Sequence, residues 1–81
     1  MLYYVYILES LKNGRHYVGS TGNLLRRLTE HNEGKVKSTK SYTPWEIIYT
    51  EEYSSKTEAL RRERKIKSYK GGIAFRKLIS G

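Results

Sequence analysis

The sequence contains no cysteine and no aspartate, one proline, and no long hydrophobic run. Without cysteine, disulfide bonds, thiol nucleophiles and cysteine-ligated zinc are excluded, and we expect a cytoplasmic protein. Because all eight acidic residues are glutamate, EF-hand loops, Ser-His-Asp triads and nuclease sites built on clustered aspartates are excluded too. No segment approaches the roughly 20 apolar residues that span a membrane, and no leader-like segment opens the chain.

The basic residues are concentrated in the last third of the chain. The 81 residues predict a single domain, 1–81, and carry a net charge of +8, which favours a monomer. Residues 1–55 contain seven Lys/Arg and six Glu, a net charge of +1, whereas residues 56–81 contain nine and two, a net charge of +7. A nucleic-acid backbone is the natural partner of such a segment, because neutralised phosphates release counterions. A solvated helix face or an acidic protein partner stays open as the alternative.

The first half of the chain has the pattern of a β-hairpin. Residues 2–9 are apolar at both odd and even positions, which is typical of a central strand covered on both faces. The dipeptide Asn13-Gly14 predicts a two-residue type I′ turn, with Ser10 opposite Tyr17 and a returning strand over 15–20. Any even-length loop without a bulge places Tyr17 on the same face of the sheet as Tyr6.

The remaining elements predict a small α+β fold, a three-stranded antiparallel sheet flanked by helices. Residues 45–53 alternate as a third strand, with Trp45, Ile47 and Tyr49 on one face. A helix over 24–32 is capped by Asn23 or Thr21 and buries Leu24, Leu25 and Leu28. A second helix over 56–69 is capped by Ser55 or Ser54 and ends before Gly71-Gly72, and a short helix over 73–79 follows. A polar connection over 33–44 joins the first helix to the third strand.

A few polar residues fall on faces that should be buried. Tyr6 and Tyr17 share a sheet face, and Arg27 lies at the edge of the apolar stripe of the first helix, four residues before His31. Glu63 lies between Ala59 and Ile66 on the stripe of the second helix, where a carboxylate needs a cationic partner. Together these residues predict one sheet face that carries two phenols, a flanking guanidinium and one carboxylate. Each also has a structural interpretation: packing for the tyrosines, a snorkelling side chain for the arginine, a helix C-terminal cation for the histidine and an i,i+4 pair with Lys67 for the glutamate.

The order and spacing of these residues resemble the GIY-YIG endonuclease superfamily. Tyr4-Val5-Tyr6 resembles the first signature, with Tyr4 in place of Gly and Val5 in place of Ile. Tyr17-Val18-Gly19 resembles the second signature, with ten residues between the two segments, and Glu58–Glu63 resembles the metal-binding helix. The resemblance covers roughly residues 2–70. It is strongest to a small stand-alone bacterial branch, related to the nuclease module found at the N-terminus of one component of the bacterial excinuclease.

The resemblance implies a metal-dependent endonuclease with catalytic residues Tyr6, Tyr17, Arg27, His31 and Glu63. Glu63 would hold a single Mg²⁺ or Mn²⁺, Arg27 would stabilise the charge that develops on the phosphate, and Tyr6, with Tyr17 as its neighbour, would act as general base. Lys67 would contact phosphate or pair with Glu63. The residues expected to bind nucleic acid are Arg26, Arg61, Arg62, Arg64, Lys65 and Lys67.

Three functions are compatible with these observations. The favoured one is hydrolysis of DNA phosphodiester bonds, with structure specificity and a link to DNA repair or recombination as further expectations and RNA as an open alternative substrate. The second is a non-catalytic nucleic-acid-binding module that acts through a protein partner. The third is a protein-interaction domain without nucleic acid. Cleavage that requires a divalent ion would distinguish the first function from the other two. Salt-sensitive binding to nucleic acid would distinguish the second from the third.

Overall fold

The computed structural model describes residues 1–81 as a three-stranded antiparallel sheet with helices on both faces, which confirms the α+β expectation. The elements are β1 (Tyr3–Ser10), β2 (His16–Thr21), α1 (Leu24–Asn32), a 3₁₀ turn (Lys40–Tyr42), β3 (Trp45–Tyr53), α2 (Lys56–Lys67) and α3 (Ile73–Ser80). The strand order is β2-β1-β3, so β1 is central, as its apolar residues at both parities predict. None of the helices is long and apolar enough to cross a membrane.

Each face of the sheet carries its own hydrophobic cluster. On one face, α1 covers a cluster whose buried members are Tyr6, Leu8 and Trp45, with Leu24 and Leu28 of the helix packed against them. On the opposite face, α2 and α3 cover Val5, Ile7 and Val18 with Ala59, Ile66 and Phe75. Because β1 contributes to both clusters, alternate residues of this one strand hold the two helical layers in place.

The helix boundaries follow the capping residues. Asn23 Oδ1 accepts a hydrogen bond from the Arg26 amide, and Ser55 Oγ accepts one from the Glu58 amide, so these two side chains are the caps of α1 and α2. The prediction that Leu25 is buried was wrong, since 78% of it is exposed. Residues spaced by four and three, as in Leu24, Leu28 and His31, face the sheet, and Leu25 lies outside that stripe.

The hairpin has a longer loop than its sequence predicts. Leu8 lies opposite Tyr17, and the Ser10 amide bonds to the Arg15 carbonyl, so the loop comprises the four residues 11–14 and the predicted register was wrong by two. Ser10 Oγ accepts hydrogen bonds from two loop amides, and only Gly14 of the loop has a positive φ, 77°. Because this loop also has an even length, the prediction that Tyr17 shares a face with Tyr6 is confirmed.

A β-bulge in the third strand changes the face of the sheet to which its alternating side chains point. Ile47 pairs with Leu8 and Tyr49 pairs with Ile7, which leaves Ile48 as the extra residue. Trp45 and Ile47 therefore pack on the α1 face, whereas Tyr49 packs on the α2 face. The prediction that Trp45, Ile47 and Tyr49 share one face was wrong, because simple alternation does not survive a bulge.

Candidate active site

The candidate site surrounds β2, which is an edge strand of the sheet. Tyr17 and Gly19 point to the α1 face of this strand, and Val18 and Ser20 point to the α2 face. Residues that reach the strand from either helical layer therefore meet at its open edge. This arrangement follows directly from the two-residue period of a β-strand.

Gly19 allows the two tyrosines of the site to converge. It pairs with Tyr6 across the sheet, and a Cβ atom at this position would lie 2.5 Å from the Tyr6 hydroxyl and 3.0 Å from the Tyr17 ring. The centres of the two tyrosine rings are 6.3 Å apart. The absence of a side chain at Gly19 is therefore what lets the Tyr6 hydroxyl lie against the backbone of the edge strand.

A buried chain of hydrogen bonds connects Tyr6 to the loop after α1. Thr39 Oγ1 donates to the Val36 carbonyl, so it accepts from His31 Nδ1, at 2.8 Å. The remaining ring nitrogen of His31, Nε2, then accepts from the Tyr6 hydroxyl at 3.0 Å. His31 and Thr39 are at most 1% exposed. The histidine is thus held as a single neutral tautomer, aimed at the phenol.

The surroundings of this pair favour the neutral forms of both groups. Burial raises the pKa of Tyr6 to about 12, against the smaller opposing effect of the hydrogen bond from Arg27. Burial and the nearby Arg27 charge lower the pKa of His31 to about 4. The interpretation of His31 as a cation at the C-terminal end of the helix was therefore wrong. At neutral pH, His31 is uncharged and accepts a hydrogen bond from the Tyr6 hydroxyl.

The neutral state of His31 makes stability sensitive to mild acid. The pKa of about 4 in the folded chain lies below the ordinary value of 6.5, so below pH 6.5 the unfolded chain binds a proton that the folded chain does not. We expect this group to lower the free energy of unfolding by about 3 kcal/mol as the pH falls from 6.5 to 4. Urea unfolding at a series of pH values measures this loss, and a His31→Gln variant with no such slope is the control. A wild-type stability that is flat over this range would contradict the neutral, buried histidine.

Arg27 places a guanidinium beside the Tyr6 hydroxyl. The hydrogen bond to Tyr6 is the main cause that raises the pKa of Arg27, followed by its hydrogen bond to Glu30, whose Oε1 lies 3.0 Å from Nη1. Its neighbour Arg26 points outward, with 76% of the side chain exposed. The guanidinium of Arg27 therefore stays ionised, is hydrogen-bonded to Glu30 and lies beside the Tyr6 hydroxyl.

Glu63 reaches the same strand from the opposite helical layer. Its Oε1 accepts a hydrogen bond from Ser20 Oγ at 2.5 Å, and its Oε2 lies 2.7 Å from Lys67 Nζ. Only 16% of the Glu63 side chain is exposed. The carboxylate thus lies on the α2 side of the edge strand, and the expectation that it shares one sheet face with the two tyrosines was wrong. The negative charge of Glu63 nevertheless contributes to the raised pKa of Tyr6, because the two side chains lie close to each other at the edge of β2.

The donor set at Glu63 fits one weakly held divalent cation. The chain contains no group of three or more His, Cys, Asp or Glu side chains that could enclose a metal ion. Glu63 nevertheless accommodates a positive charge, because the Lys67 ammonium contacts it, and the Ser20 hydroxyl offers a second oxygen ligand. A single carboxylate suffices for Mg²⁺, which keeps several waters and takes its other ligands from the substrate phosphate.

The basic residues of α2 divide into exposed and internally paired side chains. Arg61, Arg64, Lys65 and Lys67 are exposed. Arg62 instead forms two hydrogen bonds to Glu51 on β3, at 2.9 and 3.0 Å, so its guanidinium is engaged within the fold. Arg61, Arg64 and Lys65, together with Arg26, remain available for phosphate contacts, whereas Lys67 is paired with Glu63 and Arg62 serves first to attach α2 to the sheet.

Ser20 and Thr39 are the two site residues that the sequence did not indicate. Ser20 directly follows the Tyr17-Val18-Gly19 segment, so its alternation with Gly19 places it on the opposite face, toward α2. Thr39 lies in a polar connection whose local pattern carries no signal of burial. The residues that the structure brings around the edge strand are Tyr6, Tyr17, Ser20, Arg27, His31, Glu63 and Lys67.

Comparison with known proteins shows the family of this chain. Residues 2–72 match the GIY-YIG catalytic domain, which covers most of the chain. The chain therefore belongs to the GIY-YIG family, whose members are generally endonucleases.

The matches to similar proteins extend over most of both chains compared. A UPF0213 protein of Staphylococcus haemolyticus is 44% identical over 68 residues, which cover 83% of this chain and 82% of that protein. A UPF0213 protein of Halobacterium salinarum is 42% identical over 67 residues, 82% and 86% of the two chains. The solution structure of a UPF0213 protein from Bacillus halodurans superposes with a TM-score of 0.63 at 37% identity and covers 99% of this chain and 84% of its own.

Proposed function

We propose that this chain is a metal-dependent endonuclease that hydrolyses DNA phosphodiester bonds. The observation that carries the proposal is the mostly buried Glu63 carboxylate at the edge of β2, where the Tyr17 ring and the Arg27-Tyr6 pair also converge. A purely structural domain has no need to combine a carboxylate, a guanidinium and two phenols at an open strand edge. Cleavage of DNA that requires Mg²⁺ or Mn²⁺ and stops in EDTA tests the proposal.

Glu63 and the Ser20 hydroxyl are the residues that would hold the divalent ion. When bound, Mg²⁺ or Mn²⁺ supplies Lewis-acid polarisation of the scissile phosphate and stabilises the leaving oxygen. Lys67 would release Glu63 when the ion binds, because its long side chain is about half exposed and free to move toward a phosphate. Before binding, the same ammonium neutralises the carboxylate at low cost.

Arg27 would bind the non-bridging oxygens of the scissile phosphate. Its fork geometry suits two parallel hydrogen bonds to phosphate, and charge that develops in the transition state strengthens them. A phosphate bound there would also neutralise the guanidinium, and this would remove one of the two causes that lower the pKa of His31. Substrate binding would therefore prepare the histidine to accept a proton.

The two adjacent arginines of α1 provide a matched test of this role. We expect Arg27→Ala to lower the cleavage rate by about 10²- to 10³-fold, as for loss of one transition-state donor. Arg26→Ala removes the same charge from an exposed position and should change kcat by less than about threefold, with only a modest loss of affinity. Single-turnover rates at saturating enzyme separate the two effects. Equal losses in both variants would remove Arg27 from the catalytic set.

The hydrogen bond between Tyr6 and His31 would carry the proton of the attacking water. Because the pKa of Tyr6 is about 12, the phenol is protonated in the resting site. As the water oxygen bonds to phosphorus and the ester P–O bond breaks, Tyr6 would accept the water proton while its own proton moves to His31 Nε2, and the departing alkoxide oxygen would take a proton from solvent. Arg27 lies close enough to stabilise negative charge on the phenolic oxygen. Tyr17 would pack against the histidine and orient it, with ring centres 4.9 Å apart.

Removing each phenolic oxygen in turn distinguishes the base from its neighbour. We expect Tyr6→Phe to lower single-turnover cleavage by about 10²- to 10⁴-fold, the usual contribution of a general base. Tyr17→Phe keeps the proton path and its ring packing, so its loss should be at least tenfold smaller. Circular dichroism melts of both variants serve as the folding control. A larger loss for Tyr17→Phe would assign the base to Tyr17.

The substrate would be DNA, with affinity supplied mainly by the exposed basic residues. Arg61, Arg64 and Lys65 on α2 and Arg26 on α1 would contact the backbone, which predicts strongly salt-dependent binding without base readout. Selection of branched, nicked or damaged structures, and a link to repair or recombination, would then depend on nucleic-acid shape or on a protein partner.

A non-catalytic nucleic-acid-binding module is the second candidate. The contact between Lys67 and Glu63 favours it, because an ammonium already satisfies the carboxylate without a metal ion. Under this candidate, DNA binding would be tight and salt-sensitive, and no divalent ion would produce cleavage. The retained Tyr6-His31-Thr39 chain favours catalysis instead, since a binding surface does not require a buried proton path.

A further inference from the structure

A depression in the protein surface adjoins the candidate active site on the far side of Tyr17. It has a volume of about 400 Å³, and we call it the aromatic cleft. Three rings and two ammonium groups line it over an apolar floor: His16, Tyr17, Phe75, Lys67, Lys70 and Ile66. No catalytic or binding role above involves His16 or Lys70, and Phe75 has only its packing role in the core. Its volume lies toward the lower end of the range for small-ligand sites, roughly 300–1,000 Å³.

We propose that the aromatic cleft binds an unpaired nucleobase next to the scissile phosphate. The inference rests on the proposed function in one respect, that the ligand is a nucleic-acid strand. It adds the substrate class: a strand whose base at the cleavage position is free to leave a helix, as in single strands, flaps and junctions. A base held in an intact duplex would first have to unstack and flip, which costs a few kcal/mol.

The position of the cleft ties it to the cleavage chemistry. Tyr17 and Lys67 belong both to the cleft and to the candidate active site, since Lys67 contacts Glu63 and lies 6.0 Å from the centre of the Tyr17 ring. A nucleotide whose phosphate lies at Glu63 therefore has its base within reach of the cleft. On the other side of the site lies a polar depression whose charged residues are Arg26, Arg27 and Glu30. Its net positive charge would take the next phosphate along β2.

The side chains of the cleft match the two parts of a nucleotide. Aromatic rings stack on bases of any sequence, and ammonium groups attract the flanking phosphates. His16 is fixed between Glu9, 3.0 Å from its Nε2, and the Phe75 ring, whose centre is 5.2 Å away in an edge-to-face arrangement. A ring fixed in this way loses little conformational entropy when a base stacks on it.

The backbone at the rim of the cleft supports a functional role for Lys70. It is the only residue other than glycine with a positive φ, 51°, and Gly71 beside it has a φ of 72°. Lysine in this left-handed conformation is strained, and glycine would relieve the strain. Strained residues cluster at binding and catalytic sites. A glycine in the same turn would avoid this strain, so the lysine at this position favours a role for its ammonium group in binding.

Binding in EDTA tests the cleft without any need for cleavage. The probe is a 12-nucleotide single-stranded DNA with one 2-aminopurine, and its fully paired duplex is the comparison. We expect the single strand to bind at least tenfold more tightly than the duplex, with a change in 2-aminopurine emission. His16→Ala should weaken single-strand binding by about 5- to 50-fold, as for loss of one stacking partner.

Lys70→Gly and its matched control complete the test. Lys70→Gly should lower single-strand affinity several-fold while the melting temperature stays equal or rises, because the left-handed strain is relieved. Lys56→Ala removes the same charge at the opposite end of α2 and should leave the single-strand preference and the emission change unaltered.

Equal affinity for single strand and duplex, or single-strand affinity that His16→Ala and Lys70→Gly leave unchanged, would overturn the proposal. These outcomes are independent of the nuclease assignment. A chain that binds single strands through the cleft and never cuts retains the base site and loses the proposed activity. A chain that cuts duplex DNA as well as single strands retains the activity and loses the base site.

Discussion

Replacement of Glu63 by glutamine should lower DNA cleavage by about 10³-fold or more and leave DNA affinity in EDTA within about threefold of wild type. Glutamine can still accept the Ser20 hydrogen bond, but it carries no charge to hold a divalent ion. Affinity should persist because, on the proposed function, the exposed basic residues of α2 and Arg26 would supply most of the attraction to phosphate. Single-turnover cleavage in Mg²⁺ and fluorescence anisotropy in EDTA measure the two quantities on the same oligonucleotide.

Glu58→Gln is the matched control for this experiment. It removes the same charge from an exposed position in the first turn of the same helix, away from the sheet. We expect its cleavage rate to remain within about threefold of wild type, since it contacts neither substrate nor metal. A Glu63→Gln variant that cuts as fast as Glu58→Gln would remove Glu63 from the site and require another metal ligand.

The second large effect concerns stability, at the contact between β3 and α2. The Glu51 carboxylate accepts two hydrogen bonds from Arg62, one from Tyr53 at 2.7 Å and one from Tyr49. The Glu51 and Arg62 side chains are 17% and 27% exposed. Removing one partner of such a shielded ion pair leaves the charge of the other without a compensating partner. We expect Glu51→Gln and Arg62→Ala each to lower the free energy of unfolding by about 2–4 kcal/mol.

The same cluster defines a pH range for stability. Despite its burial, the hydrogen bonds and charge of Arg62 and the two tyrosines lower the pKa of Glu51 to about 2, from an ordinary value of 4.5. Because the folded chain then holds its proton less tightly than the unfolded chain, this stabilisation is present above pH 4.5 and is lost as the pH falls toward 2. At the basic end, the hydrogen bond to Glu51 raises the pKa of Tyr53 to about 12, so its contribution is lost as the pH rises from 10 to 12.

Urea unfolding of wild type and Glu51→Gln at pH 7 and pH 3 tests both the stability loss and its acid range. The variant should be less stable at pH 7 and show a smaller loss between the two pH values. Glu52→Gln, the adjacent and exposed residue, should follow the wild type at both. A Glu51→Gln variant as stable as Glu52→Gln at pH 7 would show that the cluster contributes nothing beyond packing.

The sequence predicts the elements of this fold well because their signals are local. Capping side chains at Asn23 and Ser55, the left-handed Gly34 after α1 and the alternation of β-branched and aromatic residues fix helix and strand limits to within about two residues. The central position of β1 also follows from its own residues, which are apolar on both faces.

Features that depend on contacts distant in sequence were missed. The hairpin loop has four residues because Ser10 accepts loop amides and donates to the Tyr42 carbonyl, 32 residues away. The bulge at Ile48 depends on pairing with β1, and the exposure of Leu25 depends on which side of α1 meets the sheet. Local composition does not encode these contacts.

The candidate site also has features that the sequence predicts and features that only the structure reveals. The pattern singles out Tyr6, Tyr17, Arg27, His31 and Glu63, and the structure brings them around β2. The protonation state of His31 could not be predicted, because it depends on burial and on the acceptor Thr39 in an otherwise featureless connection. That Glu63 approaches from the opposite face also needed the structure, since it follows from where α2 packs.

The most direct test of the central claim is cleavage of labelled DNA by the wild-type chain with Mg²⁺, with Mn²⁺ and with EDTA. The panel contains single-stranded, duplex, nicked, flapped and four-way DNA, each assayed beside Glu63→Gln. We expect cleavage that requires a divalent ion, disappears in the variant and is fastest where the strand is unpaired. Tight, salt-sensitive binding with no cleavage of any substrate under any metal condition would contradict the nuclease assignment and support the binding module.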